Sequence, residues 1–159
     1  MSKKSIILAF SALLVLGLAS LQAAENLAAI PSSGPTTPKG WYDDYDSAIK
    51  AAQTSKKKLY VLFTGSDWCG WCIKLKADVL DKKEFKEFAA KNLILLYIDS
   101  PSPKIEMPKE LREKNQELAK KFGVRGYPTS VILDEQGKEI SKVVGAPGDF
   151  LEQLKKAVN

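Results

Sequence analysis

The stretch Asp67-Trp68-Cys69-Gly70-Trp71-Cys72-Ile73-Lys74-Leu75 holds both cysteines of the chain and two of its three tryptophans. Three residues separate it from an apolar run, Leu59-Tyr60-Val61-Leu62-Phe63. Two thiols three positions apart, between a buried strand and a helix-periodic segment, leave few uses open. Structural zinc takes four Cys, His or carboxylate ligands, and this chain has two cysteines and no histidine. Covalent haem attachment needs a histidine directly after the second cysteine, where Ile73 stands. As a staple the pair is poor, because closing so short a loop removes little unfolded-state entropy. A redox dithiol remains. No metal site is expected, and no cofactor beyond a Cys69–Cys72 disulfide.

Placement assigns the roles. Cys69 lies where strand gives way to helix, so its sulfur faces unpaired backbone N–H groups and the positive end of the helix dipole, which favour thiolate. Cys72, one turn on and deeper, can attack only a disulfide that Cys69 has already formed. Cys69 is expected as nucleophile and Cys72 as resolving thiol. Trp68 and Trp71 can wall the thiols with apolar surface for an extended peptide, and Gly70 between them is counted with that surface. Trp68 is equally suited to core packing, whereas Trp71 points off the helix start.

The rest of the chain reads as one exported domain. Lys3 and Lys4, an apolar run from Ile6 to Leu21, then Ala23 and Ala24 form a signal-peptide pattern. Residues 1–24 are expected to be removed near Ala23 or Ala24, with an uncleaved membrane anchor as the alternative. Without them the formal charge of +5 loses two lysines and falls to +3. That balance does not call for nucleic acid. Residues 25–40, with three prolines and two glycines, read as a flexible linker. From Trp41 to 159 regular patterns follow: a helix over 44–57, a strand at 59–63, and a helix from Cys69 to Leu80. A helix over 82–91, a strand at 93–99 and a helix over 109–122 come next. A hairpin of 129–134 with 138–145 and a helix over 149–158 complete the chain. The first two strands must run parallel and the last two antiparallel. An α/β fold is expected, a mixed four-stranded sheet with helices on both faces.

These residues resemble the thioredoxin superfamily from about Trp41 to Val158. Trp68-Cys69-Gly70-Trp71-Cys72 corresponds to its redox motif. Gly126-Tyr127-Pro128-Thr129 matches the segment whose cis-proline faces the thiols, and Gly145 matches a glycine ending the last strand. The resemblance implies a thioredoxin-like fold, a cis Tyr127-Pro128 bond, and substrate binding by Tyr127 and Pro128. Within the superfamily, FTGSDWCGWC looks most like exported DsbH-type periplasmic reductants and the C-terminal domain of the transporter DsbD.

Two departures stand out. The superfamily's buried aspartate and lysine, which manage the resolving thiol's proton, are replaced by apolar Leu62 or Phe63 and Leu95. Asp67 is the only nearby acid in sequence, at a position suited to a helix N-terminal charge. The span from Asp99 to Pro128 is also longer than in thioredoxin, a lengthened helix and proline-rich loop that would suit docking.

The expected function is an exported thiol:disulfide oxidoreductase reducing disulfides in periplasmic proteins, acting as a monomer and kept reduced by a membrane electron donor of the DsbD type. Gly70-Trp71 brings no charge to stabilise a thiolate as a strong oxidase would, although the lack of proline between the cysteines argues against the most reducing potentials. The alternatives are a disulfide oxidase or isomerase, or a chaperone-like peptide-binding adaptor that hardly uses its thiols. The isomerase would need a dimerisation domain, and the oxidase a large helical insertion.

Overall fold

The computed structural model describes residues 34–159; the expected signal peptide and most of the expected linker lie outside them. The expected element order is found. Helix α1 (Tyr45–Ser55) is followed by β1 (Lys58–Thr64), α2 (Gly70–Leu75) with a π-helical turn over Lys76–Leu80, and α3 (Lys83–Asn92). Then come β2 (Leu93–Asp99), α4 (Lys109–Lys121), β3 (Thr129–Leu133), β4 (Glu139–Val144) and α5 (Phe150–Val158). The four strands form one mixed sheet in the order β2-β1-β3-β4, with β1 and β2 parallel and the other pairs antiparallel.

The near-unbroken apolar character of β1 has the expected cause. Leu59, Val61 and Phe63 pack with Ala48 and Ala52 of α1 and with Phe122 at the end of α4. Tyr60 and Leu62 face the other way, onto Leu75, Leu80, Phe85, Phe150 and Leu154. A strand covered on both faces cannot alternate apolar with polar. The third tryptophan, Trp41, belongs to this second cluster and meets Tyr60 and Tyr97 edge-on at 5.7 Å. Among the described residues no helix is long and apolar enough to cross a membrane.

Two expectations need correction. The periodicity of Cys72, Leu75, Lys76 and Val79 implies one α-helix to Leu80, but the chain widens into a π turn, closed by the Asp81 amide on the Lys76 carbonyl at 2.8 Å. The wider turn buries Leu80 in place of Val79 and leaves Lys76 exposed. The segment 34–40, taken as part of a flexible linker, is tied to the domain. The Gly34 amide and the Thr37 hydroxyl both donate to Asp43, at 2.5 and 3.3 Å, and the Trp41 amide donates to the Pro38 carbonyl at 3.1 Å. Tyr42 then adds a bridge to the outer edge of β2, its amide on Leu95 and its carbonyl under the Tyr97 amide, both at 2.8 Å.

Candidate active site

Parallel strands β1 and β2 end in register, Thr64 opposite Asp99. The chain leaving Thr64 must turn back over the sheet and start α2, and that turn carries the dithiol. Cys69 is the N-cap of α2, in extended conformation, with Cys72 one turn inside. The two are joined as a disulfide with Cα atoms 5.2 Å apart. The Cys72 amide donates to Cys69 Sγ at 3.2 Å, so the sulfur occupies the place of a capping side-chain oxygen. Both cysteines are nearly enclosed, at 7% and 5% exposure.

The indoles are on the surface, Trp68 at 53% and Trp71 at 62% exposure, so core packing does not account for Trp68. They are held differently. Trp68 donates from Nε1 to the Ser100 carbonyl at 2.8 Å and meets the Tyr127 ring edge-on at 5.8 Å. Its ring also lies over Gly65, where any Cβ would come within 2.5 Å of it. Trp71 has no ring partner among the described residues, and Gly70 beside it borders open space. The Trp68 contact brings Tyr127 of the Gly126–Thr129 segment against the residue that precedes Cys69. The Tyr127-Pro128 bond is cis, as expected, and Pro128 is buried behind the half-buried Tyr127.

Asp67, two residues before the N-cap of α2, is engaged from the loop that follows β2. Ser102 donates to it twice, through its hydroxyl and through its amide at 2.9 Å. These bonds, the hydroxyl's foremost, hold the Asp67 carboxyl below the usual carboxylate range. Leu62 and Leu95 lie in the cluster that covers this face of the sheet, and the phenols of Tyr60 and Tyr97 enter the same cluster. Burial, with the Asp99 charge second, pushes the Tyr97 phenol up.

Sequence reasoning missed Asp99. This buried carboxylate accepts both the Ser66 amide, at 2.9 Å, and the Ser66 hydroxyl, at 2.6 Å. The signal was present: Ser66-Asp67 and Asp99-Ser100-x-Ser102 follow the ends of two strands that lie side by side, so the hydroxyls and carboxylates must meet.

The comparisons with known proteins agree with this geometry. Residues 45–158 match the family model described as a thioredoxin-like domain. This chain belongs to the thioredoxin superfamily. The thioredoxin-like chain is 36% identical to the disulfide bond reductase DsbH of Chlamydia pneumoniae over 74% of its own length and 72% of that protein's. It is 29% identical to the thioredoxin-related protein DsbJ of the same organism, of which it spans only 35%. A solved DsbH oxidoreductase superposes with a TM-score of 0.68 at 33% identity, covering 84% of this chain and 97% of that one. A thioredoxin from Thermus thermophilus, at 22% identity and TM-score 0.57, shares the fold. With its Cys-x-x-Cys pair in place, the thioredoxin-like domain is a thiol-disulfide oxidoreductase.

Proposed function

We propose that the protein is an exported reductase of protein disulfides, with Cys69 as nucleophile. The observation that carries this reading is the capping position of Cys69, whose sulfur already accepts a backbone N–H at the start of α2. A donor there stabilises a thiolate without the charged neighbour of a strong oxidase. The reductase name of the relative that matches over most of its length supports the direction.

In the reducing cycle the Cys69 thiolate attacks one sulfur of a substrate disulfide. The other substrate sulfur leaves as thiolate and takes a proton. Cys72, deprotonated, attacks Cys69 Sγ in the mixed disulfide and releases the second substrate sulfur. Two electrons pass to the substrate, and the enzyme is left as the Cys69–Cys72 disulfide seen here. A dithiol donor, in our reading a membrane protein of the DsbD type, returns it to the reduced form. Trp68, Gly70 and Trp71 on one side and Tyr127 and Pro128 on the other would hold an extended peptide across the sulfur, the Tyr127 backbone pairing with it as a strand does.

Insulin reduction by wild type and Cys69→Ser tests the enzyme reading, because an adaptor would keep its peptide binding and never have shown thiol-dependent turnover. Equilibration with glutathione tests the direction. A potential of roughly −270 to −180 mV is expected, and one near −120 mV, the oxidase end of the range, would overturn the reductase.

A further inference from the structure

The turn that carries the dithiol is fastened to the start of the β2–α4 connection residue by residue. The Ser100 amide donates to the Thr64 carbonyl at 2.9 Å, and Ser66 donates twice to Asp99. Ser102 donates twice to Asp67, and Trp68 donates to the Ser100 carbonyl. The two serine–aspartate pairs point in opposite directions, so each loop supplies both donors and acceptors. Behind them α4 fixes the second loop. Asn115 Nδ2, buried, donates to the Asp99 carbonyl at 2.9 Å, and the Arg112 guanidinium reaches the Pro101 and Ile105 carbonyls at 3.3 and 3.4 Å. The lengthened Asp99–Pro128 span thus begins as a buckle on the active-site turn.

We propose that Asp99 is a positioning residue for the Cys69 thiol, acting through Ser66. Its two oxygens take the only two polar hydrogens of Ser66 and so set where residues 65–68 lie over the sheet. Those residues in turn aim Cys69, whose amide donates to the Gly65 carbonyl at 3.0 Å. The sulfur therefore meets the Cys72 amide in a geometry held from Asp99. The inference rests on Cys69 being the nucleophile.

The test is the pH dependence of iodoacetamide alkylation of the full reduced chain, with insulin reduction and urea unfolding in parallel. Positioning and charge predict opposite signs. Losing the anchor slackens the Cys72 amide on the sulfur and moves the Cys69 midpoint to higher pH, whereas losing a nearby negative charge alone moves it lower. In Asp99→Ala the midpoint should rise and kcat/KM for insulin should fall about tenfold, as expected for a misplaced reacting atom. Asp99→Asn should restore both, because its carbonyl still accepts the Ser66 amide and its NH₂ donates to the Ser66 hydroxyl. Ser66→Ala, which removes one of the two bonds and keeps the buried carboxylate, should give a smaller change of the same sign, and it serves if Asp99→Ala does not fold. A lower midpoint in both Asp99 variants would overturn the proposal in favour of a charge effect. An unchanged midpoint with lowered stability would overturn it in favour of a purely structural role. First alkylation of Cys72 in wild type would show that the nucleophile itself had been misassigned.

Discussion

The amide of Gly145 donates to the carbonyl oxygen of Pro128 at 2.8 Å, and Gly145 does so with a φ of +83°. The end of β4 thus fixes the peptide unit after Pro128, from the side of the sheet opposite β1. No atom lies within 4 Å of where a Gly145 Cβ would stand, so a substitution there meets strain without a clash. Gly145→Ala should lose about 1–2 kcal/mol, the usual penalty of left-handed backbone for an L-residue. Urea unfolding reads this directly. Alanine keeps the amide donor, so the folded variant should still reduce insulin at close to the wild-type rate.

Cys69 and Cys72 are almost equally enclosed. Exposure therefore cannot choose between them, and any preference must come from thiolate character. One equivalent of iodoacetamide on the reduced protein should modify Cys69 first and leave Cys72 nearly untouched. Peptide mapping by mass spectrometry would show it. Dominant labelling of Cys72 would reverse the order of events proposed above.

Trp68 fits over Gly65 with no room for a side chain. In Gly65→Ala the indole must swing away, losing its hydrogen bond to Ser100 and its edge contact with Tyr127. Its fluorescence should change, and so should the change that accompanies reduction of the nearby disulfide. KM for insulin should rise, because a wall of the peptide site moves while the Cys69 amide keeps its bond to the residue 65 carbonyl. Equal fluorescence in the two proteins would contradict this.

Stability should respond to pH from both ends. The Asp67 carboxyl, held low by Ser102, and the Asp44 carboxyl, held low by Ser47, favour the folded state once the unfolded chain has ionised. That contribution is present above about pH 4 and is lost as pH falls through the depressed folded values. At the alkaline end, burial raises the Tyr60 phenol, which shares a hydrogen bond of 2.9 Å with Ser130. Unfolded tyrosine ionises near pH 10 while folded Tyr60 does not, so stability must fall above about pH 10. Tyr97, raised by burial and then by the Asp99 charge, adds to the same limb, so Tyr60→Phe should make it shallower in urea unfolding and leave the Tyr97 share. It should also cost about 1–3 kcal/mol near neutrality, for the unpaired Ser130 hydroxyl.

Much of this molecule can be read from its chain because local and global signals coincide. The apolar runs 59–63 and 93–99 had no polar face to leave in water, so they had to be covered strands. The dithiol had to open a helix because Cys72 and Leu75 share the spacing of a buried helical stripe. Pro128 was found through resemblance, and its cis bond with it. What stayed hidden is what depends on two distant segments meeting. Asp99 looks like the last residue of a strand until β1 is seen beside it, bringing Ser66 within reach. The π turn was equally hidden, since Val79 and Leu80 are both apolar and either could have faced inward. Segment 34–40 carries the prolines and glycines of a linker, and only the folded position of Asp43 shows what it is bound to.

The π turn at Lys76–Leu80 has a consequence for how the length of this chain can vary. A π turn holds one residue more than the α turn it replaces, and Leu75 and Leu80 reach the same core from either side of it. Removing a single residue between them would restore ordinary helical spacing. The dithiol upstream would keep its orientation, and α3 downstream would keep its seat on the sheet. Insertions and deletions are usually accommodated in loops; here the chain has a site of permissible shortening within a helix, one turn from its redox centre.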